Sequence, residues 1–250
     1  MDSQLLQGQV AVVTGGSGGI GSEICRHLAQ AGSTVVFTYR KGKQAAEQLL
    51  TTLPGAGHWS KYLAVDDSAG LNALAAEVKE AHGRCDVLVN CAGMTRFVPH
   101  AELDALDDAL IDEIFRVNWR GAFAAVRAFR PLLKSTGSAL VVNISSIAGV
   151  TGMGSNVAYC ASKAALDCMT KSLARALAPE IRVVSVSPGL VDTEFVKNLD
   201  QKWRDEQAAR TPLRRLARPD EVGAAVVAVA STLKYANGCI IALDGGRPLA

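Results

Sequence analysis

Tyr159 and Lys163 stand four residues apart in Tyr159-Cys160-Ala161-Ser162-Lys163, a spacing that puts both side chains on one face of a helix. A free phenol ionises near pH ~10, too high for efficient proton exchange at neutrality. An ammonium at about 4 Å, in an effective dielectric of about 20, stabilises phenolate by roughly 4 kcal/mol, or about three pK units before desolvation opposes it. The pair is therefore expected to act as a proton donor and acceptor, with Lys163 drawing the Tyr159 phenol down. A second constellation lies near the start of the chain, at Thr14-Gly15-Gly16-Ser17-Gly18-Gly19-Ile20-Gly21. It follows an apolar run and opens a helical stretch. Glycines there allow a sharp turn and a close approach to a pyrophosphate, toward which the free N–H groups of the helix start point. Residues 16, 18 and 21 fit one dinucleotide-binding spacing, G-x-G-x-x-G, and residues 15, 19 and 21 fit another, T-G-x-x-x-G-x-G. The letters alone do not choose between them.

Nicotinamide cofactors differ at the adenosine ribose, where an acidic residue about 20 positions beyond the glycines would accept the 2'-hydroxyl of NAD. No Asp or Glu occurs from 31 to 46, and the second apolar run ends in Thr38-Tyr39-Arg40-Lys41-Gly42-Lys43. A guanidinium at Arg40 can donate two parallel hydrogen bonds to a 2'-phosphate that a carboxylate would repel. The expected cofactor is NADP(H).

Short β-branched runs at 10–14, 34–38, 87–89, 139–144, 183–186 and 239–243, with a weaker one at 61–65, alternate with helical patterns near 19–31, 43–52, 68–82, 103–134, 156–178 and 220–231. Strands apolar on both faces need helices on both sides. The expected fold is thus a single α/β domain over 1–250, a Rossmann-type doubly wound parallel sheet with ligands at the carboxyl ends of its strands. The stretch 191–216, with Trp203, many charges and Pro212, is too long for a plain connector and is expected to be a partly helical lid over the substrate.

Lys and Arg number 26 against 24 Asp and Glu, which gives no reason to expect nucleic acid or a membrane surface as a partner. The six cysteines form no C-x-x-C pair and the four histidines do not cluster with them, so no metal site is expected. Met1 to Leu6 lacks a basic segment followed by an apolar stretch, and no run of about 18 apolar residues occurs. These features lead to the expectation of a soluble cytoplasmic protein.

In order along the chain, Thr14 to Gly21, Asn90-Cys91-Ala92-Gly93, Asn118, Asn143-Ile144-Ser145-Ser146, Tyr159 with Lys163, and Ser187-Pro188-Gly189 resemble the motifs of the short-chain dehydrogenase/reductase family, over about residues 8 to 246. The resemblance implies that Ser146, with Ser145 as its close competitor, orients a substrate carbonyl, and that Asn118 anchors a water relaying protons to Lys163. It implies a cofactor held by Gly15, Ser17, Gly18, Gly19 and Ile20, by Tyr39 and Arg40, and by Asn90, Ala92 and Gly93 beneath it. Asp66, or equally Asp67, would lie near the adenine, Tyr159 and Lys163 near the nicotinamide ribose, and Pro188, Gly189, Val191 and Thr193 against the carboxamide. Cys91 replaces the second Asn of the usual N-N-A-G, and Val184 replaces an Asn often found in the sixth strand.

The implied reaction is carbonyl–alcohol interconversion by hydride transfer, with a small-molecule carbonyl or alcohol as substrate. The segment 92–96 resembles 3-oxoacyl-thioester reductases, yet the places where such enzymes carry basic residues for an acidic carrier read Ser135-Thr136-Gly137 and Ala178-Pro179-Glu180. A free small ketone or sugar stands beside that reading, as does a non-catalytic NADP-sensing protein. The apolar stretch 221–233 and the final strand resemble the family's subunit contacts, which implies a homotetramer.

Overall fold

The computed structural model describes residues 5–249, so the outermost residues of the 1–250 domain and most of the N-terminal segment read for a leader lie outside the described residues. Seven parallel strands form one sheet in the order β3 (Trp59–Tyr62), β2 (Thr34–Tyr39), β1 (Val10–Thr14), β4 (Val87–Asn90), β5 (Ala139–Ile144), β6 (Ile181–Pro188) and β7 (Ile240–Leu243). The chain starts in the middle, winds out to β3, then returns through β4 toward the other edge. The resulting crevice opens at the carboxyl ends of β1 and β4, where ligands of such sheets bind.

Alternation within β1 shows why both faces need helices. Ala11 and Val13 pack toward α1 (Gly19–Gln30), α2 (Lys43–Thr52) and α10 (Pro219–Ser231). Val10 and Val12 pack the opposite way, with Leu71, Leu74 and Val78 of α3 (Ser68–His82) and Phe129 and Leu133 of α5 (Ala122–Lys134). Successive strand side chains point to opposite faces, so a strand of five buried residues feeds two cores at once.

Several boundaries differ from the sequence reading. The third strand is the polar Trp59–Tyr62, not 61–65, because it is an edge strand paired on one side only, to Val36–Tyr39. The apolar Leu63 and Val65 are buried just beyond it, in the connection to α3. β6 extends at both ends of the expected 183–186, and the helical stretch 103–134 is not continuous. It breaks into a short turn at Leu103–Ala105, α4 (Asp108–Phe115), a wide π-helical turn at Arg116–Gly121, and α5. Asp107 caps α4 by accepting from the Leu110 N–H at 2.8 Å. The π turn carries Asn118, and such insertions concentrate at functional sites.

After β5 come α6 (Ala148–Thr151) and α7 (Val157–Leu177). After β6, the stretch 191–216 holds α8 (Glu194–Lys197) and α9 (Gln201–Ala209) and is partly helical, as expected. Its two ends meet: Val191 bridges Ala217, with Asp192 N–H donating to the Ala217 carbonyl at 2.8 Å and Ala217 N–H to the Leu190 carbonyl at 3.0 Å.

Candidate active site

The glycine turn is pinned to the end of β2. Gly16 N–H donates to the Thr38 carbonyl at 2.9 Å, Gly15 N–H reaches the Thr38 hydroxyl at 3.2 Å, and Ser17 Oγ donates to the Lys41 carbonyl. Three glycines are required by geometry, one being Gly16, where a Cβ would lie 2.5 Å from the Phe37 Cβ. Gly15 has φ +70°, and a Cβ on it would lie 2.9 Å from the Ala92 Cα; a Cβ on Gly21 would lie 2.2 Å from the Gly15 carbonyl oxygen. Neither spacing read from the sequence captures the turn alone, since Gly15, Gly16 and Gly21 are the tightly packed positions while a Cβ on Gly18 would make only an ordinary contact, 3.5 Å from the Gly15 carbonyl oxygen. Gly18 starts α1 without any capping side chain, which leaves the first N–H groups of the helix free. A Cβ on Gly19 would lie 3.1 Å from the Thr193 Cβ, so the start of α1 and the segment after β6 face each other.

The helix that carries Tyr159 and Lys163, α7, begins beside this crevice. Asn156, fully buried, accepts from the Tyr159 N–H at 2.7 Å and donates to the Arg96 carbonyl at 2.7 Å and to the Thr95 hydroxyl. It thereby caps α7 and fastens its first turn, which carries Tyr159, to the segment after β4. The Ser146 hydroxyl, just past β5, stands close enough to the Tyr159 phenol to draw its pKa down, and it accepts from Ala148 N–H at 3.2 Å. Ser145, the competitor, is buried and points at the backbone of Lys163, to whose carbonyl its hydroxyl donates at 3.4 Å. The hydroxyl beside the phenol is that of Ser146.

Lys163 is buried and its Nζ donates to the Ile144 carbonyl at 2.8 Å, 5.8 Å from the centroid of the Tyr159 ring. Desolvation brings its pKa down to about 8. The Tyr159 phenol is held above its ordinary value, because burial outweighs the hydrogen bond from Ser146 that lowers it. The expectation of a phenol drawn down by its neighbour is therefore not met in the protein alone. The ammonium is spent on a carbonyl, and the loss of water disfavours both charges.

Asn118 is buried in the π turn and closes a reciprocal pair with Met94: its Oδ1 accepts from Met94 N–H at 2.8 Å and its Nδ2 donates to the Met94 carbonyl at 3.0 Å. The same Nδ2 reaches Ser162 Oγ at 3.1 Å. A Cβ built on Gly93 would lie 3.5 Å from Asn118 Oδ1 and 3.8 Å from Lys163 Nζ, so all three surround one small space. Asn90 lies beneath, donating to Asn143 Oδ1 at 2.8 Å, while its own Oδ1 is buried without a partner. Ala92 is held by Thr14, whose hydroxyl accepts from both Cys91 and Ala92 N–H at 3.2 Å.

Across the crevice, Pro188 ends β6, and its carbonyl accepts from Ile147 N–H at 3.0 Å. Gly189 follows, with its N–H on the Leu243 carbonyl. The Val191 side chain is buried in the core, and the Thr193 hydroxyl caps α8 at Val196 N–H. At the far end Arg40 is exposed, with a carboxylate of Glu113 at 3.9 Å. Glu113 also neighbours Arg116, which pairs with Asp66 at 3.0 Å. Asp67 is spent on capping α3, accepting from Gly70 N–H at 3.0 Å, so Asp66 is the acid that faces this end of the crevice. Tyr39 packs edge-on to Tyr62.

Asn156, Thr170 and Asp167 escaped the sequence reading, and Asn143 entered it only as a motif residue without a role. The first had a signal: an Asn three residues before the Tyr is a helix cap. The other three are brought together by the packing of α7 against β5 and β6, which the sequence does not display. Burial pushes the Cys91 thiol up to about 12 and raises Cys160 as well, so neither resembles an activated nucleophile.

A glycine turn on a free helix start, an orphaned Asn90 oxygen and a Ser–Tyr–Lys group, all at the carboxyl edge of a doubly wound sheet, define a dinucleotide-dependent oxidoreductase site. Residues 15–247 match a family profile described as enoyl-(acyl carrier protein) reductase. The chain is 34% identical over 245 residues to a 3-oxoacyl-[acyl-carrier-protein] reductase of Thermotoga maritima, covering 96% of this chain and 98% of that one. It is 37% identical over 243 residues to a cis-4-hydroxycyclohexanecarboxylate dehydrogenase of Sinomonas cyclohexanicum, covering 95% and 96%. Among solved structures, a mutant of a Serratia marcescens short-chain dehydrogenase/reductase superposes with a TM-score of 0.90 at 30% identity, covering 98% and 100%. The chain belongs to the short-chain dehydrogenase/reductase family of oxidoreductases, which use NAD(P)(H).

Proposed function

We propose that the chain is an NADP(H)-dependent reductase of a carbonyl to a secondary alcohol, working reversibly, on a substrate with an apolar body. The observation that carries this reading is the convergence of Ser146, Tyr159 and Lys163 on the crevice floored by Gly93 and faced by the glycine turn. The residues present suit a dinucleotide: the turn has no room for side chains at Gly15 and Gly21, and the buried Asn90 oxygen lacks a partner. When bound, the nicotinamide supplies the hydride.

The chain's own residues do the rest. Tyr159 holds at its Oη the proton that the substrate oxygen receives, and Ser146 donates to the same oxygen, stabilising the developing alkoxide. Lys163 is the cation for the ribose hydroxyls and the phenolate, and Asn118 fixes the Met94 backbone beside it. Gly15, Ser17, Gly18, Gly19 and Ile20 take the pyrophosphate, and Pro188 to Thr193 takes the carboxamide. Arg40, which has no acidic competitor on its own strand end, takes the 2'-phosphate.

Phe97, Val150 and Met153 are exposed, large and apolar, and Thr95–Ser155 and His100–Gly154 hydrogen bonds bring their two segments together at the mouth. An acyl chain or an alicyclic ring suits that rim better than a sugar does. The stretch 191–216 is the segment that covers the substrate. The half-buried apolar edge strand β7, near the exposed Leu249 and Tyr235, supports assembly through that edge into a homotetramer. Six unpaired cysteines fit a reducing, cytoplasmic setting, and among the described residues no helix is long and apolar enough to cross a membrane.

Tyr159→Phe tests the reading. NADPH oxidation across a panel of 3-oxoacyl thioesters and cyclic ketones is expected to fall by roughly 10²–10⁴ while NADPH binding, read by fluorescence, stays unchanged. Retained turnover overturns the assignment of Tyr159.

A further inference from the structure

Asp167 is the buried acid that the chemistry above leaves idle. It sits on α7 one turn past Lys163, on the same face of the helix, and is only 7% exposed. Neither of its carboxylate oxygens has a hydrogen-bond partner of normal geometry, although the Ser145 and Ser185 hydroxyls stand close by. A buried, unpartnered carboxylate is costly, and chains keep one where it meets a charge. The neighbourhood is polar throughout. Asn90 donates to Asn143, Asn143 to the Thr170 hydroxyl, and Thr170 meets Ser185 at 2.8 Å, so the floor of the crevice is one connected set of neutral dipoles with a single acid in it.

The groups around Lys163 and Asp167 come from five elements, the π turn adding the neutral amide of Asn118. On α7 itself are Tyr159, Asp167 and, further along, Lys171. After β4 stands Cys91, whose thiol is held at about 12 and so carries no charge at neutral pH. β5 and β6 contribute the neutral hydroxyls of Ser145 and Ser185. That leaves Asp167 as the acid near the buried ammonium, its carboxyl pushed up by burial and drawn back by the Ser145 and Ser185 hydroxyls and by Lys163 and Lys171.

We propose that Asp167 is a positioning residue, the interior counter-ion that keeps Lys163 charged and its Nζ aimed at the crevice in a place where burial would otherwise strip its proton. The proposal deepens the assigned role of Lys163 and rests on that residue being a working ammonium. Its direct readout is a titration that proceeds whether or not the chain reduces a carbonyl.

The experiment uses the full chain labelled with [ε-¹³C]lysine, the Lys163 resonance being assigned with Lys163→Arg. In the unsubstituted protein the Lys163 signal is expected to titrate near 8. Asp167→Asn should lower that midpoint by about one unit, roughly a tenfold change in proton affinity, while Asp167→Glu restores it. A midpoint unmoved in a folded Asp167→Asn protein overturns the proposal, whatever becomes of turnover. Should that variant fail to fold, the unsubstituted protein decides with [γ-¹³C]aspartate: Asp167 is expected to be ionised at pH 7, and a carboxyl still protonated there overturns the counter-ion role. Loss of turnover in Tyr159→Phe together with an unmoved Lys163 midpoint would sink this inference and leave the proposed reaction standing.

Discussion

The two ends of the crevice are built from different material. At the catalytic end, Asn156, Asn118, Asn143, Lys163 and Thr170 are buried and joined by hydrogen bonds that cross from helix to strand to loop. At the adenosine end, Arg40, Glu113 and Arg116 are ion-paired on the surface, with half of the Arg40 side chain in water. Buried dipoles fix positions because any displacement leaves a group unsatisfied. Exposed ion pairs are worth little individually and re-form easily. On the proposed reading, chemistry is thus carried by the rigid end, and discrimination between cofactors by the adaptable one.

Substitutions at the two ends should separate along that line. The largest effect is expected for Lys163→Met. With a folded pKa of about 8 against 10.5 when free, the lysine costs the folded state about 3 kcal/mol below pH 8, and that cost vanishes as pH rises from 8 toward 10.5. Allowing about 1 kcal/mol for the lost hydrogen bond to Ile144, the variant made together with Asp167→Asn, so that no lone buried carboxylate is left behind, should resist urea better than the parent by about 2 kcal/mol at pH 7, the gap narrowing in alkali. A gap constant with pH would show that burial is not what lowers this amine.

Arg40→Ala comes next, at the exposed end. Losing charge-assisted hydrogen bonds worth about 1.5–3 kcal/mol should weaken NADPH binding roughly ten- to a hundredfold and leave NADH binding as it was. Equal losses for both cofactors would remove Arg40 from the discrimination. Asn156→Ala removes a buried cap and should cost about 1–2 kcal/mol in unfolding free energy, with turnover falling more than the KM for NADPH rises. If KM alone changes, the cap does not position Tyr159. The smallest effect is expected for Glu113→Gln, which frees Arg40 of a surface carboxylate at 3.9 Å. NADPH should bind about two- to fivefold tighter, in line with less than about 1 kcal/mol for an exposed pair. Weaker binding would mean that Glu113 orients Arg40 rather than competes for it.

The same contrast explains what could be read from the residues alone. The order of strands and helices was legible because β-branched runs and helical spacing are local properties, and β1, β5 and α2 fall where expected. The edge strand β3 was misplaced because Trp59–Tyr62 lacks the apolar signature, its pairing partner on one side being solvent. Ser146, Tyr159 and Lys163 were legible as a group in family order. Asn90 was expected beneath the cofactor, but its join to Asn143 and Thr170, and Asp167 beside them, was not legible, since the β4–β5 register and the packing of α7 on the sheet bring these distant residues together. The displaced pull between Lys163 and Tyr159 was likewise invisible, because helical spacing fixes a shared face and says nothing of the carbonyl of Ile144 lying nearer.

The meeting of Val191 with Ala217 bears on how such a scaffold diversifies. A segment pinched shut at its stem transmits little of its own length or composition to the sheet below. If it covers the substrate as proposed, it can be exchanged between relatives as a cassette, with new substrates admitted and the polar floor left untouched.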